Sequence, residues 1–313
     1  MALIEAKELN RTFTVRRRGV GRHEVVAVSD VTFSIDAGEM VGYIGPNGAG
    51  KSTTIKMLTG ILVPTAGHLR VAGLEPSRQR TTLARQIGVV FGQRTSLWWD
   101  LPLRDSFTLL HKLYRTDPAR HRANLAEFLE LLDLGDLLDT PVRQLSLGQR
   151  MRGDIAAALL HDPDILYLDE PTIGLDVVSK GRLREFLRAL NASRGVTLLL
   201  TTHDLQDIEA LCDRVMVIDH GTLVYDGSLP GLHATVEASR TLVVDLVDIR
   251  PPIEVPGAEV LRVDGPRQWL SFPAGASAAP IVAAVAAAYD VADLSIQEPD
   301  IEQVIKQLYS GRG

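Results

Sequence analysis

A single cysteine, Cys212, stands in 313 residues. It excludes an internal disulfide and reads as a small buried hydrophobe in a reducing compartment. Long apolar runs are also missing. The longest, "AAPIVAAVAAAY", falls short of the ~18 uncharged residues that a membrane-spanning helix needs. The opening "MALIEAKELNRTF" carries Glu5, Lys7 and Glu8 where a signal peptide has its apolar core. The expectation is a soluble chain, with any membrane span supplied by another protein. A basic surplus is absent too: 33 Lys and Arg against 39 Asp and Glu leave a net charge of −6, so no nucleic-acid partner is expected.

What is present is globular, with 45% hydrophobic and 23% charged residues and ample Val, Leu and Ile for buried strands. The length suggests roughly two domains. The runs "MVGYI", "DILYLDE", "TLLLTTH" and "RVMVID" alternate with helical patterns. They read as buried parallel strands with crossover helices. "AGHLRVAG" and "GTLVYDG" read as antiparallel additions. Residues from about 97 to 160 are helix-rich and look like a helical insertion. One helix there has Asp117 as N-cap, Pro118 in its first position and Gly135 past its end. Beyond residue 240, "TLVVDLVD", "AEVLRVDG", "RQWLSFPA" and "VADLSIQEP" read as strands, and "AAPIVAAVAAAYD" and "DIEQVIKQLY" as helices. This predicts a small C-terminal α+β domain over 240–313, following a first domain over 1–235.

The strongest chemical signal is "GPNGAGKST", comprising Gly45, Pro46, Asn47, Gly48, Ala49, Gly50, Lys51, Ser52 and Thr53. It lies between the strand "MVGYI" and the helix "KSTTIKML", the context a phosphate-binding P-loop requires. Glycines let backbone N–H groups turn toward phosphates. The helix N-terminus adds partial positive charge. Lys51 supplies a point charge for the β- and γ-phosphates, and the Ser52 hydroxyl can ligate Mg²⁺. A P-loop calls for a carboxylate on a neighbouring strand, and "ILYLDEP" provides it. Asp169 would orient Mg²⁺, and Glu170 would polarise a water for attack on the γ-phosphate. The fold class expected is α/β: a P-loop NTPase cassette with a mixed, largely parallel sheet, an antiparallel subdomain and a helical insertion, plus the C-terminal domain.

"LSLGQ" has two readings. Ser146 and Gln149 fit a capping box at the start of a helix. Yet Gly45–Thr53, Gln93, "LSLGQ", "ILYLDEP", "GLD" at Gly174–Asp176 and His203 follow one another in the order seen in ATP-binding-cassette (ABC) ATPases. The chain resembles that family. The resemblance implies that Phe13 stacks on adenine and that Gln93 ligates Mg²⁺ and senses the γ-phosphate. It implies that Ser146, Gly148 and Gln149 close on ATP held by a second copy, with Asp176 crossing that interface. His203 would be a switch residue near the γ-phosphate. Taken singly, Phe13 reads more readily as core than as an adenine platform, Gln93 as a polar loop residue, and His203 as a helix cap or a satisfied core histidine. Leu147 stands where the family pattern has glycine.

Several stretches, among them "GPNGAGKSTTIKMLTGILVPTAG", "VFGQRTSLWWDLP" and "EPTIGLDV", resemble ATPases of ABC-2-type, drug-exporter-like transporters. This implies ATP and Mg²⁺ as cofactors, a head-to-tail dimer of the chain, integral membrane permease subunits as partners and a peripheral place on the cytoplasmic face of the membrane. A soluble ABC ATPase without a role in transport is the alternative. The Trp98-Trp99 pair reads either as a buried anchor of the helical insertion or as a groove for a helix of the membrane partner. The basic run Arg16–Arg18 with Arg22 reads as a solvated hairpin tip, or as a contact with anionic lipid headgroups.

Overall fold

Near-continuous apolar runs cannot leave either face of a strand in water, so they stack as the inner strands of a covered sheet. The computed structural model, which describes residues 2–17, 21–92, 94–202, 204–235, 239–273 and 275–297, shows this in its first unit. The chain divides into two compact units, Met1–Ser228 and Leu229–Gly313.

The first unit begins with a long hairpin, β1 (Ala2–Arg17) and β2 (Gly21–Asp36). Then follow β3 (Met40–Ile44), α1 (Lys51–Leu58), β4 (Ala66–Val71), α2 (Arg80–Leu83) and β5 (Ile87–Phe91). A helical stretch carries α3 (Leu103–Tyr114), α4 (Pro118–Leu131) and α5 (Leu147–Leu159). The chain returns through β6 (Ile165–Asp169), α6 (Val177–Arg194), β7 (Thr197–Thr201), α7 (Leu205–Leu211), β8 (Arg214–Asp219) and β9 (Thr222–Ser228).

Two sheets result. One is six-stranded, in the order β5-β6-β7-β3-β8-β9, parallel except for β9. The other is antiparallel, in the order β2-β1-β4. A single core joins them: Ile4, Leu9, Val28 and Phe33 of the hairpin pack in one cluster with Tyr43, Ile55, Met57 and Tyr167. Register matters for function, because Phe91, Asp169 and Thr201 are mutual partners across β5, β6 and β7. The C-terminal ends of three parallel strands are therefore level, the place where open α/β sheets bind ligands. The hairpin ladder continues to the pairs Arg16↔Arg22 and Arg17↔Gly21. The side chains of that basic run lie outside the described residues.

Local signals place the helices. Asp117 caps α4, its carboxylate accepting from the N–H groups of Ala119 and Arg120 at 3.0 and 2.9 Å. The turn after α4 differs from the expectation. Asp133, at φ 51°, takes the left-handed position, while Gly135 opens a short 3₁₀ turn instead. Helix α5 lies against β5 closely enough that a Cβ on Gly88 would stand 2.5 Å from the Ala158 carbonyl oxygen. Cys212 is buried, and burial pushes its thiol pKa up to about 12.

The second unit contains α8 (Leu229–Thr235), β10 (Ser239–Leu246), β11 (Glu259–Asp264), β12 (Arg267–Pro273), α9 (Ala278–Ala288) and β13 (Val291–Gln297). Its sheet is antiparallel, in the order β11-β12-β10-β13. Alternation places Leu242, Val244, Leu270 and Phe272 on one face, where Ile281 and Val285 of α9 cover them. Gln268 is fully buried yet satisfied: its Oε1 accepts from the Ile253 N–H and its Nε2 donates to the carbonyls of Arg250 and Pro251. The closing helix expected near residues 300–309 lies outside the described residues. No described helix is long and apolar enough to cross a membrane.

The close approach at Gly88 generates a test. A methyl there must displace backbone of α5, and overpacking of this kind costs about 1–3 kcal/mol. Gly88→Ala should lower the urea midpoint of the chain with little change in the slope of the transition.

Candidate active site

The turn from Gly45 to Gly50 joins the end of β3 to the start of α1. Gly50 has φ 110°, and a Cβ there would stand 2.5 Å from the Ala27 carbonyl, so both conformation and space demand glycine. Among the described residues no side chain caps α1, which leaves its first-turn N–H groups suited to an anion. The Lys51 ammonium folds over the loop, donating to the carbonyls of Gly45 at 2.6 Å and Pro46 at 3.1 Å. Burial lowers the Lys51 pKa, and the charges of Glu170 and Asp169 oppose that shift.

Asp169 ends β6 beside this loop. Its Oδ2 accepts from Ser52 Oγ at 3.2 Å and its Oδ1 from Thr201 Oγ1 at 2.5 Å. Its carbonyl accepts from the Gly92 N–H at 2.7 Å. Glu170 then turns sharply, with φ 55°, and its N–H donates to the Thr201 carbonyl at 2.8 Å. A left-handed conformation is uncommon for a glutamate and is found where surrounding structure holds it. The hold is visible two residues on: Thr172 Oγ1 donates to Asp207, a fully buried carboxylate that also pairs with Arg184 at 2.5 Å. Lys51, Ser52, Asp169 and Glu170 line one open cavity of about 490 Å³, together with Asn47 and Arg94.

Gly48, Gly50 and Thr53 line it as well, whereas Phe13, Ser146, Gly148, Gln149 and Asp176 do not. Ser146 and Gln149 form the complete capping box of α5: the Gln149 N–H donates to Ser146 Oγ at 3.2 Å, and the Ser146 N–H donates to Gln149 Oε1 at 2.9 Å. Asp176 caps α6, accepting from the Ser179 N–H at 2.9 Å and the Ser179 hydroxyl at 2.6 Å, and these bonds hold its pKa below the usual carboxylate range. Leu147 links the two caps. A Cβ on Gly174, at φ 71°, would overlap the Leu147 side chain, and one on Gly148 would stand 2.9 Å from Leu175. Phe13 is half-buried, with the Arg11 guanidinium 4.5 Å from its ring centre. Gln93 and His203 lie outside the described residues.

Trp98 and Trp99 are 39% and 50% exposed, so neither is the buried anchor; Leu97, at 5%, takes that place. The Arg150 guanidinium lies 5.6 Å from the ring centre of Trp99.

Two residues escaped the sequence reading. Arg94 lines the cavity, although its basic character was the only hint. Asp154, on α5, is 5% exposed and accepts three bonds on one oxygen, from Thr95 Oγ1, the Ser96 N–H and Ser96 Oγ at 2.8–3.0 Å. It ties α5, the helix that Ser146 caps, to the segment following Gln93.

A glycine loop opening a helix, beside a strand-end carboxylate bonded to that helix's serine, defines a P-loop nucleotide-binding ATPase cassette. A family model described as "ABC transporter" matches residues 28–173. The chain is 35% identical over 218 residues to the ABC transporter ATP-binding protein NatA of Bacillus subtilis (strain 168), covering 69% of this chain and 88% of that protein. It is 37% identical over 261 residues to the daunorubicin/doxorubicin resistance ATP-binding protein DrrA of Streptomyces peucetius, 78% of each. Among solved structures it is similar to the ATP-binding cassette MJ0796, dimeric in a post-hydrolysis state with ADP and Pi, at a TM-score of 0.65 and 27% identity over 72% of this chain and 98% of that one. The chain belongs to the ABC transporter family, among its ATP-binding proteins, and is an ATPase of that family.

Burial raises the Asp154 pKa, with the bonds from Ser96 and Thr95 opposing. A raised acid pKa favours the protonated form in the fold. Its contribution is present below the ordinary carboxylate range and lost as pH rises through the raised value. Asp154→Asn keeps a carbonyl acceptor and does not titrate, so the parent should lose stability relative to that variant as pH rises, read by urea unfolding at several pH values. Asp154→Ala should cost about 1–3 kcal/mol by leaving the buried donors without a partner.

Proposed function

We propose that this chain is the ATP-driven motor subunit of an ABC-2-type exporter. The observation that carries the ATPase chemistry is the convergence of Lys51, Ser52, Asp169 and Glu170 on one cavity. Export rests on the names of relatives, which include DrrA and a Nod factor export ATP-binding protein I of Burkholderia orbicola (strain AU 1054). The cargo proposed is a hydrophobic or drug-like compound. The motor is the cassette of residues 1–235, with 97–160 as its helical insertion and 240–313 as an accessory domain.

In this reading the N–H groups of Gly45–Thr53 and the start of α1 bind the β- and γ-phosphates, with the Lys51 ammonium between them. A magnesium site is consistent with the chemistry of the donor set: the Ser52 hydroxyl and the Asp169 carboxylate are hard oxygens 3.2 Å apart, and Gln93 would complete the protein ligands. Mg²⁺ there neutralises phosphate charge. Glu170 takes the proton of the attacking water, His203 assists and Phe13 stacks on adenine.

Ser146, Gly148, Gln149 and Asp176 belong to the second half-site. Their place outside the cavity supports a head-to-tail dimer, in which each copy closes its signature over its partner's ATP. Trp98 and Trp99, exposed beside the segment that Asp154 anchors, form the contact for integral membrane permease subunits at the cytoplasmic face of the membrane.

Three measurements test this. Glu170→Gln should abolish hydrolysis and accumulate an ATP-bound dimer on size exclusion; hydrolysis at the parent rate removes Glu170 as the base. Ser146→Arg should abolish hydrolysis while the monomer binds ATP as the parent does; retained hydrolysis reduces "LSLGQ" to a helix start. Affinity purification from detergent-solubilised membranes should bring down an integral membrane protein, and recovery of the chain without one favours the soluble ABC ATPase.

A further inference from the structure

We propose that Arg94 is a γ-phosphate-binding residue of this ATPase, supplying in cis a cation additional to Lys51 from the turn after β5; the proposal rests on the ATPase reading above. The placement of Arg94 is built by the sheet. β5 ends level with Asp169, through the partner pair Phe91↔Asp169. The chain then turns back, with the Arg94 N–H donating to the Phe91 carbonyl at 2.9 Å, and Phe91 and Arg94 forming a bridge. The turn is clamped from the side by the Gly92 N–H on the Asp169 carbonyl at 2.7 Å. A Cβ on Gly92 would stand 2.7 Å from the Glu170 carbonyl and 2.8 Å from that of Asp169. Gly92 therefore admits no side chain where the turn meets the two acidic residues.

From that turn Arg94 lines the same cavity as Lys51, Asp169 and Glu170. Its guanidinium has no ion-pair or hydrogen-bond partner among the described residues, although two carboxylates share the cavity. Lys51 differs: its ammonium is bonded to the carbonyls of Gly45 and Pro46, on the loop side. Of the three cations that line the cavity, Lys51 is fixed at the phosphate loop, while Lys56 and Arg94 are uncommitted among the described residues; of these two, Arg94 follows the turn seated against Asp169 and Glu170. A water polarised by Glu170 must lie in line with the γ-phosphorus, so the γ-phosphate, held by the loop and Lys51 on one side, turns its far side toward Glu170 and the turn that carries Arg94. A guanidinium presents a planar fork that binds two phosphate oxygens at once, and it stays charged throughout the reaction. Arg94 is therefore set to recognise the group that distinguishes ATP from ADP.

The test compares nucleotides on the full chain. Binding of a non-hydrolysable ATP analogue with an imido β–γ bridge, and of ADP, both with Mg²⁺, is measured by titration calorimetry. Arg94→Ala should weaken the analogue about tenfold to a hundredfold and leave ADP within twofold. Arg94→Lys should recover part of the loss, since charge without the fork remains. Equal weakening for both nucleotides overturns the proposal, because Arg94 would then serve the cavity's general charge. Unchanged binding of both also overturns it and makes Arg94 a contact for another subunit. Lys51→Ala separates the two levels: it should weaken both nucleotides. A parent chain that binds neither nucleotide overturns the ATPase reading itself.

Discussion

The Asp169 carboxylate is where four segments of the cassette meet. It ends β6, holds the first serine of α1, accepts the Thr201 hydroxyl from β7, and through its carbonyl fixes the turn after β5. The arrangement follows from register. Parallel strands of apolar residues align so that three chain ends stop together, and polar side chains appear only where the apolar runs finish. A carboxylate at that edge is desolvated enough to interact strongly and still open to a bound cation. Moving any one of the four segments shifts the others, so phosphate loop, acid and cavity rim form one mechanical unit.

Sequence pattern revealed the parts of this unit that are local. "GPNGAGKST" and "ILYLDEP" carry their own context, a strand before and a turn or helix after, and the structure places both at the same sheet edge. The strands of the C-terminal unit were legible as apolar runs, although their pattern is weaker: only β12 alternates cleanly, while β10 buries three successive residues. The extent of the amino-terminal hairpin was not. Its ladder is interrupted by register shifts between Ala6 and Leu9 and again before Arg11 and Thr12, and Glu8 takes φ 49°, so the period of two breaks within β1. Asp133 in place of Gly135 escaped for a related reason: an aspartate tolerates the left-handed region well enough that glycine was not needed there.

The role of Asp154, the cavity position of Arg94 and the left-handed backbone of Glu170 had little or no sequence signal, because each depends on a long-range neighbour. Asp154 reads as a surface acid until α5 is packed against the segment after Gln93. Trp98 and Trp99 show the converse. A tryptophan pair suggests burial by size alone, yet Leu97 fills the core position and leaves both rings at the surface. The capping box is different again, since the structure shows that reading complete and does not bear on the other. Ser146 and Gln149 are bonded to one another in the structure, so any phosphate bound there in the proposed dimer would have to displace those bonds.

Leu147 reaches further than its place on the surface suggests. By lying over Gly174 it fastens the start of α5 to the start of α6, and thereby ties the signature to Asp176. Two loops that could have stood apart are instead packed on one another in the isolated chain. The conformational freedom lost on association is correspondingly smaller. Assembly then resembles the seating of a preformed key more than the folding of a flap, and its enthalpy and temperature dependence should reflect surface matching rather than loop ordering.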